Sequence, residues 1–346
     1  MARSTSGPAA EERSELFNRI YAFYDVKILA AAIELGIFQK LGEASPPEAL
    51  ATSLSLPLRS TRALLVALGA MGLVAHDEGG YVLSEKGKRH FGPEAAYPMS
   101  DVVRFAEWQA DALPQLTEAL RDDKIIWDGF NHYLHNIDDD SVPSSRRAGR
   151  QIFNAALAGS ATATAKAVLG AVDLKTSARL LDIGGNLGVF SATVLSRYEH
   201  MRSTVFDLPE VAPLAQAEVR KRNLAHRIKA VGGDFVSGAW PADHDLITFI
   251  RILATRPEDE ILFLLRKAYD ALPSGGKCLF YEEHVLGRDR NAVPPGAGWA
   301  SMFIFMGSHG EVRHIDEWER FFAEAGFVAI RGVNGTPWGI VMGEKP

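Results

Sequence analysis

The chain reads as an α/β protein: an open sheet in its C-terminal half, preceded by a helical module that ends in a small hairpin. Three observations carry this reading. Over Leu180–Leu181–Asp182–Ile183–Gly184–Gly185–Asn186–Leu187–Gly188 apolar residues enter a glycine turn and an amphipathic segment leaves it, the pattern of strand, tight turn and helix. Two further apolar stretches end in an acid, Ser203–Thr204–Val205–Phe206 at Asp207 and Val231–Gly232–Gly233 at Asp234. The first ninety residues instead carry apolar side chains at helical spacing.

Taken in order, Leu16, Ile20 and Phe23 open the helical pattern, and Val26, Leu29, Ala30 and Ile33 continue it to Leu35–Gly36–Ile37–Phe38. Pro47–Glu48–Ala49–Leu50 opens a short helix. Leu58–Arg59–Ser60–Thr61–Arg62 leads a longer one through Leu64, Leu65, Leu68 and Met71, and Gly72 stops it. Leu73–Val74–Ala75 and Tyr81–Val82–Leu83 flank Asp77–Glu78–Gly79–Gly80, a hairpin with a turn-forming tip. Three helices and a hairpin make a winged helix, placed at residues 12–97. That module often reads DNA, with Arg59, Ser60, Thr61 and Arg62 at the start of the would-be recognition helix. Over residues 1–90, however, ten Lys plus Arg face ten Asp plus Glu, whereas a DNA reader is usually basic. The apolar first helix fits a subunit interface better.

Residues 98–173 form a second helical stretch rich in aromatics: Phe105, Trp108, Trp127, Phe130, Tyr133 and Phe153. The sheet domain follows at 174–346. Ligands of open α/β sheets bind at the carboxyl ends of the strands, where glycines let the backbone approach them. The turn here is no dinucleotide fingerprint, because its third motif position is Asn186, and no Gly-x-x-x-x-Gly-Lys-Ser/Thr phosphate loop is present. Asp207 is placed to accept hydrogen bonds from two ribose hydroxyls, and Asp234 with Phe235 suits the amino group and face of an adenine. Successive strand ends therefore point to an adenosine without phosphates.

At these residues the chain resembles the S-adenosylmethionine-dependent small-molecule methyltransferases typified by caffeate, acetylserotonin and hydroxyneurosporene O-methyltransferases. The likeness runs from about Glu15 to the C-terminus. It is carried by the turn from Leu180, Phe206–Asp207–Leu208–Pro209, Gly233–Asp234–Phe235, Arg251–Ile252–Leu253, Leu272–Pro273–Ser274–Gly275–Gly276 and Glu324–Ala325–Gly326–Phe327. Singly these are weak; in this order and spacing they are specific. The resemblance implies a Rossmann-like, seven-stranded class I methyltransferase domain behind a winged-helix dimerisation domain. It also implies a homodimer formed through the N-terminal helices, and S-adenosylmethionine held by Asp182, Gly184, Gly185, Asp207, Leu208, Gly233, Asp234, Phe235 and Arg251. The family places its acceptor pocket near Trp108, Phe130, Phe153 and Asn154; Trp299, Met302, Phe303 and Met306 recur at spacings that put them on one helical face and complete the expected wall.

The chain departs from the family at the chemistry. Members that methylate phenols carry a His after strand 4, in a pattern like Arg-Val-Leu-His-Asp-Trp-Pro-Asp-Glu, and it removes the hydroxyl proton. Here the run is Arg251–Ile252–Leu253–Ala254–Thr255–Arg256–Pro257–Glu258–Asp259–Glu260, and Ala254 takes no proton. Glu283 matches the first of the two acids that orient that base, while Val312 stands in place of the second. Methyl transfer from a sulfonium is an in-line displacement that positioning alone accelerates, and a base matters little where the acceptor has a free lone pair or is already anionic. The expected acceptor is thus a small planar aromatic or heteroaromatic metabolite of secondary metabolism, such as antibiotic biosynthesis, methylated at N, C or an acidic O. His309, Glu283 and His284 are candidate replacement bases, with His309 expected nearest the acceptor. The alternatives are a non-methylating use of the same cofactor (decarboxylation, hydroxylation or pericyclic rearrangement) and a winged-helix DNA-binding regulator.

Composition bounds the rest. With 346 residues, 47% hydrophobic, the chain is long enough for two domains with full cores. Its single cysteine, Cys278, excludes an intrachain disulfide. A net charge of −6 argues against broad nucleic-acid affinity. No apolar run approaches a membrane span, no signal-peptide core or zinc-spaced Cys/His cluster appears, and no metal is expected. A cytoplasmic enzyme without a membrane partner is the expectation.

Overall fold

The computed structural model describes residues 8–95, 99–127, 157, 160–335 and 338–346. It divides into two compact units, Met1–Asp111 and Ala112–Pro346.

The first unit runs α1 (Pro8–Tyr21), α2 (Phe23–Glu34), α3 (Ile37–Lys40), α4 (Pro47–Ser53), α5 (Leu58–Ala70), β1 (Val74–Asp77), β2 (Gly80–Leu83), α6 (Glu85–Phe91) and α7 (Ser100–Ala110). Phe38, Leu41, Leu50, Leu65, Leu68 and Phe91 close its core. Gly72 ends α5 as expected: at φ 70° it lets the Leu73 N–H turn back to the Leu68 carbonyl at 3.0 Å. The hairpin pairs Val74 with Leu83 and Asp77 with Gly80, and Ser45 adds a bridge to Tyr81. This is the winged-helix arrangement. On the would-be recognition helix, Arg62 is engaged by Glu48 at 2.8 Å. α7, which the sequence places in a linking segment from residue 98, packs on α2 and is tied there by Lys27–Glu107 at 3.0 Å. The first unit therefore extends to Asp111 rather than stopping at 97.

In the second unit α8 (Leu116–Asp122) and a helix over 160–171 (α9) precede β3 (Arg179–Ile183), α10 (Val189–Arg197), β4 (Arg202–Asp207), α11 (Ala212–Lys221), β5 (Ile228–Gly232), β6 (Leu246–Ile250), α12 (Glu258–Ala271), β7 (Lys277–Glu283), α13 (Pro295–Gly307), α14 (Ile315–Glu324), β8 (Val328–Asn334) and β9 (Trp338–Glu344). The seven strands lie in the order β5-β4-β3-β6-β7-β9-β8. β3 to β7 are parallel, and β9 and β8 join antiparallel. The chain reverses direction across the sheet between β3 and β6, and that switch point opens a crevice at the strands' carboxyl ends. One core face holds Phe206, Phe249, Phe280, Trp318 and Phe321, and the other Leu180, Val194, Leu195 and Met201. Such near-continuous apolar strands are what burial on both faces requires. The unit reaches back to Ala112, not Leu174, in part because the Ile126 and Trp127 N–H groups both donate to the Met306 carbonyl at 2.9 Å. Among the described residues no helix is long and apolar enough to cross a membrane.

Candidate active site

The crevice at the switch point is a cavity of about 1330 Å³, continuous with solvent. Asp182, Gly184, Gly185, Asn186, Asp207, Leu208, Phe235, Arg251 and His309 all line it. The loops are drawn together because the ladders continue past the strand ends: the Gly184 N–H donates to the Phe206 carbonyl at 2.8 Å and the Gly233 N–H to the Asp207 carbonyl at 2.9 Å. At Gly184, φ is 65° and a Cβ would overlap Ile252; at Gly185 a Cβ would lie 2.7 Å from Asp182 Oδ2. A side chain at either position would block the turn.

Two carboxylates sit on the crevice floor. Asp182 is fully buried, accepts hydrogen bonds from Ser191 Oγ at 2.7 Å and Thr248 Oγ1 at 3.0 Å, and is pushed up to about 6 by burial, with the charge of Asp207 adding to the effect. Asp207 accepts the Asn186 N–H at 2.7 Å on Oδ2 and the Leu208 N–H at 2.8 Å on Oδ1. Burial outweighs these two bonds and pushes it up to about 6 as well. Both are therefore mostly ionised at neutral pH and act as acceptors.

On the β5 side, Phe235 lines the cavity under the guanidinium of Arg256, which lies 5.4 Å from the ring centroid and is held by Glu260 at 2.9 Å. Lys267 fixes the loop by donating to the Phe235, Val236 and Gly238 carbonyls at 3.0, 2.9 and 2.7 Å. Gly233 and Asp234 do not reach the lining. Asp234 turns to accept the Val236 N–H at 2.8 Å and the Ser237 hydroxyl, and these bonds, against the effect of partial burial, hold its carboxyl below the usual value. The acid expected at an adenine instead caps its own loop.

Arg251, at φ 61°, donates from Nη1 to Ser160 Oγ at 2.6 Å and lies 3.8 Å from Glu283. Glu283 and His284 stand behind the cavity rather than on its wall. His284, at φ 62°, meets Trp299 edge-on at 4.7 Å; its Nδ1 is buried without a partner, and burial lowers its pKa, opposed by Glu283 and reinforced by Arg251. Beside them Glu282 accepts the Glu283 N–H at 3.1 Å, and burial pushes it up to about 8.

The expected acceptor wall divides. Trp299 is 59% exposed, Phe303 packs on Trp127 at 5.4 Å, and Met306 is buried; neither these nor Met302 line the cavity. The residues that follow them do: Gly307, Ser308 and His309. Helical spacing gives one face of α13, but that face does not line the cavity. Trp108 lies on α7 in the first unit beside Phe105 at 6.3 Å, and Phe130, Phe153 and Asn154 lie outside the described residues. Asn186, Thr164, Arg256 and Glu260 also line the cavity. Of these, Arg256 is marked in the sequence, since it stands where the family pattern has Trp.

The fit to an S-adenosyl donor is tested by what the cavity presents. The paired acceptors, the close backbone and the aromatic–guanidinium wall suit a polar nucleoside; among the described residues no cluster of His, Cys, Asp or Glu is placed to bind a metal. Residues 116–328 match the O-methyltransferase domain family. The chain belongs to that family. It is an S-adenosylmethionine-dependent methyltransferase acting on a small molecule. The methyltransferase is 29% identical over 328 residues to 3-hydroxy-5-methyl-1-naphthoate 3-O-methyltransferase of Streptomyces sahachiroi, covering 93% of this chain and 92% of the relative. It is 28% identical over 288 residues to the N,N-dimethyltransferase OxyT of Streptomyces rimosus, covering 82% and 81%. Human N-acetylserotonin methyltransferase, solved with SAM, shares the fold at a TM-score of 0.84, 22% identity and 99% of both chains.

Proposed function

We propose that this enzyme methylates a small planar aromatic or heteroaromatic metabolite of secondary metabolism at a nitrogen, a carbon or an acidic hydroxyl, by positioning and without the family's histidine base. The observation that carries the reading is Ala254. It is 2% exposed, on the turn Leu253–Thr255, and its carbonyl accepts the Glu311 N–H at 3.1 Å, so the position offers a methyl group and a main chain already engaged.

When bound, S-adenosylmethionine supplies an electrophilic methyl group on a positively charged sulfur. Asp207 takes the ribose hydroxyls with the acceptor capacity its two N–H bonds leave free. Gly184 and Gly185 admit the amino-acid end close to the backbone, Asp182 and Leu208 shape the floor, and Phe235 offers a face to the adenine. Gly233 and Asp234 support that subsite by fixing the loop behind Phe235. Arg251 closes the β6 side and is positioned by Glu283.

His309 follows the C-terminus of α13, is exposed and lines the cavity, so among the three candidate bases it is the one with access to an acceptor. Glu283 and His284 act through their neighbours: Glu283 orients Arg251, and His284, whose pKa burial lowers, packs on Trp299. A homodimer built through α1 and α2, working in the cytoplasm, belongs to this reading. The close family of O- and N-methylating relatives supports this range of acceptor atoms.

The deciding experiment incubates the purified enzyme with methyl-labelled S-adenosylmethionine and a panel of aromatic hydroxyls, amines and activated carbons. The reading expects label in product and one S-adenosylhomocysteine per turnover. A panel on which only weakly acidic phenols react would sink the base-free mechanism.

A further inference from the structure

The start of α12 borders the cavity on its Phe235 side. Arg256, Pro257 and Glu260 all line the cavity, and the side chains of Arg256 and Glu260 keep 18% and 24% of their surface accessible. Arg256 stands in extended backbone just before the helix and Glu260 in its first turn, four residues on, which brings the two side chains together. Arg256 Nη1 donates to Glu260 Oε1 at 2.9 Å, and the guanidinium carbon lies 5.4 Å from the centroid of the Phe235 ring. The carboxylate is thus one guanidinium away from the ring offered to the adenine. Among the described residues nothing else donates to Glu260. One such bond leaves a carboxylate with acceptor capacity and a guanidinium with further N–H groups to give.

The acid that the sequence offers to an adenine's amino group is already spent. Asp234 accepts the Val236 N–H and the Ser237 hydroxyl, and it does not line the cavity. An adenine laid on Phe235 presents an amino group, which donates, beside a ring nitrogen, which accepts. It needs an acceptor next to a donor, and the pair of Glu260 and Arg256 is that combination.

We propose that Glu260 and Arg256 read the adenine edge of the donor: the Glu260 carboxylate accepts from the exocyclic amino group, and Arg256 donates to the ring nitrogen beside it. The proposal rests on the donor-site reading above. It makes the site selective for the base. Hypoxanthine carries a carbonyl oxygen in place of the amino group, which sets one acceptor against another, and a site built to take a hydrogen bond rejects the analogue that cannot give it.

Glu260→Gln is nearly isosteric, keeps an oxygen that can accept from Arg256, and adds an amide N–H that can donate to the hypoxanthine carbonyl. Wild type and variant are titrated calorimetrically with S-adenosylhomocysteine and with S-inosylhomocysteine. Wild type is expected to prefer S-adenosylhomocysteine by about thirtyfold, and the variant to hold the two ligands within about threefold of each other. A wild type that binds both ligands equally overturns the proposal. A preference that survives unchanged in the variant overturns it too, whether both affinities hold or both fall, and returns the amino group to the Asp234 loop. A wild type that takes up neither ligand overturns the donor-site reading and this proposal with it, a result distinct from the other two.

Discussion

Asp207 combines two properties that pull in opposite directions: main-chain N–H groups favour its anion, and burial disfavours it and wins, to about 6. In the proposed donor site, replacing Asp207 by Ala removes two charge-assisted hydrogen bonds to the ribose, and S-adenosylhomocysteine affinity in calorimetry should fall by about a hundredfold or more. The same affinity should be flat above about pH 7 and decline as pH drops through about 6, because the protonated carboxyl accepts less well. Stability runs the other way. Asp182 and Asp207 are raised from 3.8, so the stabilisation they give is fully present below that value and is lost as pH rises through about 6. Asp182→Asn keeps the shape and removes the buried charge, and the Ser191 and Thr248 hydroxyls can turn to meet the amide. In urea unfolding this variant should gain on wild type between pH 4 and pH 7, by on the order of 2 kcal/mol.

At the level of elements, two short segments meet beside the cavity. The turn Leu253–Thr255 presents the Ala254 carbonyl, and the segment after α13 meets it with the Glu311 N–H and with Gly310, where a Cβ would overlap that carbonyl. Gly310→Ala should push the segment carrying His309 off the turn. The expected result is a fall in kcat of tenfold or more with S-adenosylhomocysteine affinity unchanged, since the donor's residues lie on other loops. Ala254→His tests the absent base directly. A general base is worth about 10²–10⁴-fold where a proton must leave; on the natural acceptor the substitution should give no such gain, and a gain of that size would identify a weakly acidic phenol. The same packing shows how helical spacing misleads: Trp299, Met302, Phe303 and Met306 do lie on α13, but its cavity-facing part is its C-terminal end.

For the molecule as a whole, the exposed apolar surface is concentrated on α1 and α2, where Leu16, Phe17, Ile20 and Phe23 are each more than half exposed. A patch of that kind, on a chain of net charge −6, is the surface that the proposed homodimer would cover. Sedimentation should show a dimer that Ile20→Lys converts to monomer, with donor affinity retained. A wild type that sediments as a monomer at micromolar concentration would remove the interface from the account.

The family was legible in the sequence because the donor site is local. A glycine turn, an acid at the end of the next strand and an aromatic after the one beyond are each fixed by a few consecutive residues, and open α/β topology brings strand ends together. Asp182, Gly184, Gly185, Asp207, Leu208, Phe235, Arg251 and His309 accordingly line one cavity. What the tertiary structure decided is everything that depends on which way a side chain turns once its neighbours are packed. Asp234 bonds its own loop, Glu283 and His284 withdraw behind Arg251, α7 joins the first unit through α2, and Asn186 and Arg256 come to the wall. Those outcomes are set by contacts between segments distant in sequence, competing for the same hydrogen-bond donors and the same space, and no local pattern encodes the winner.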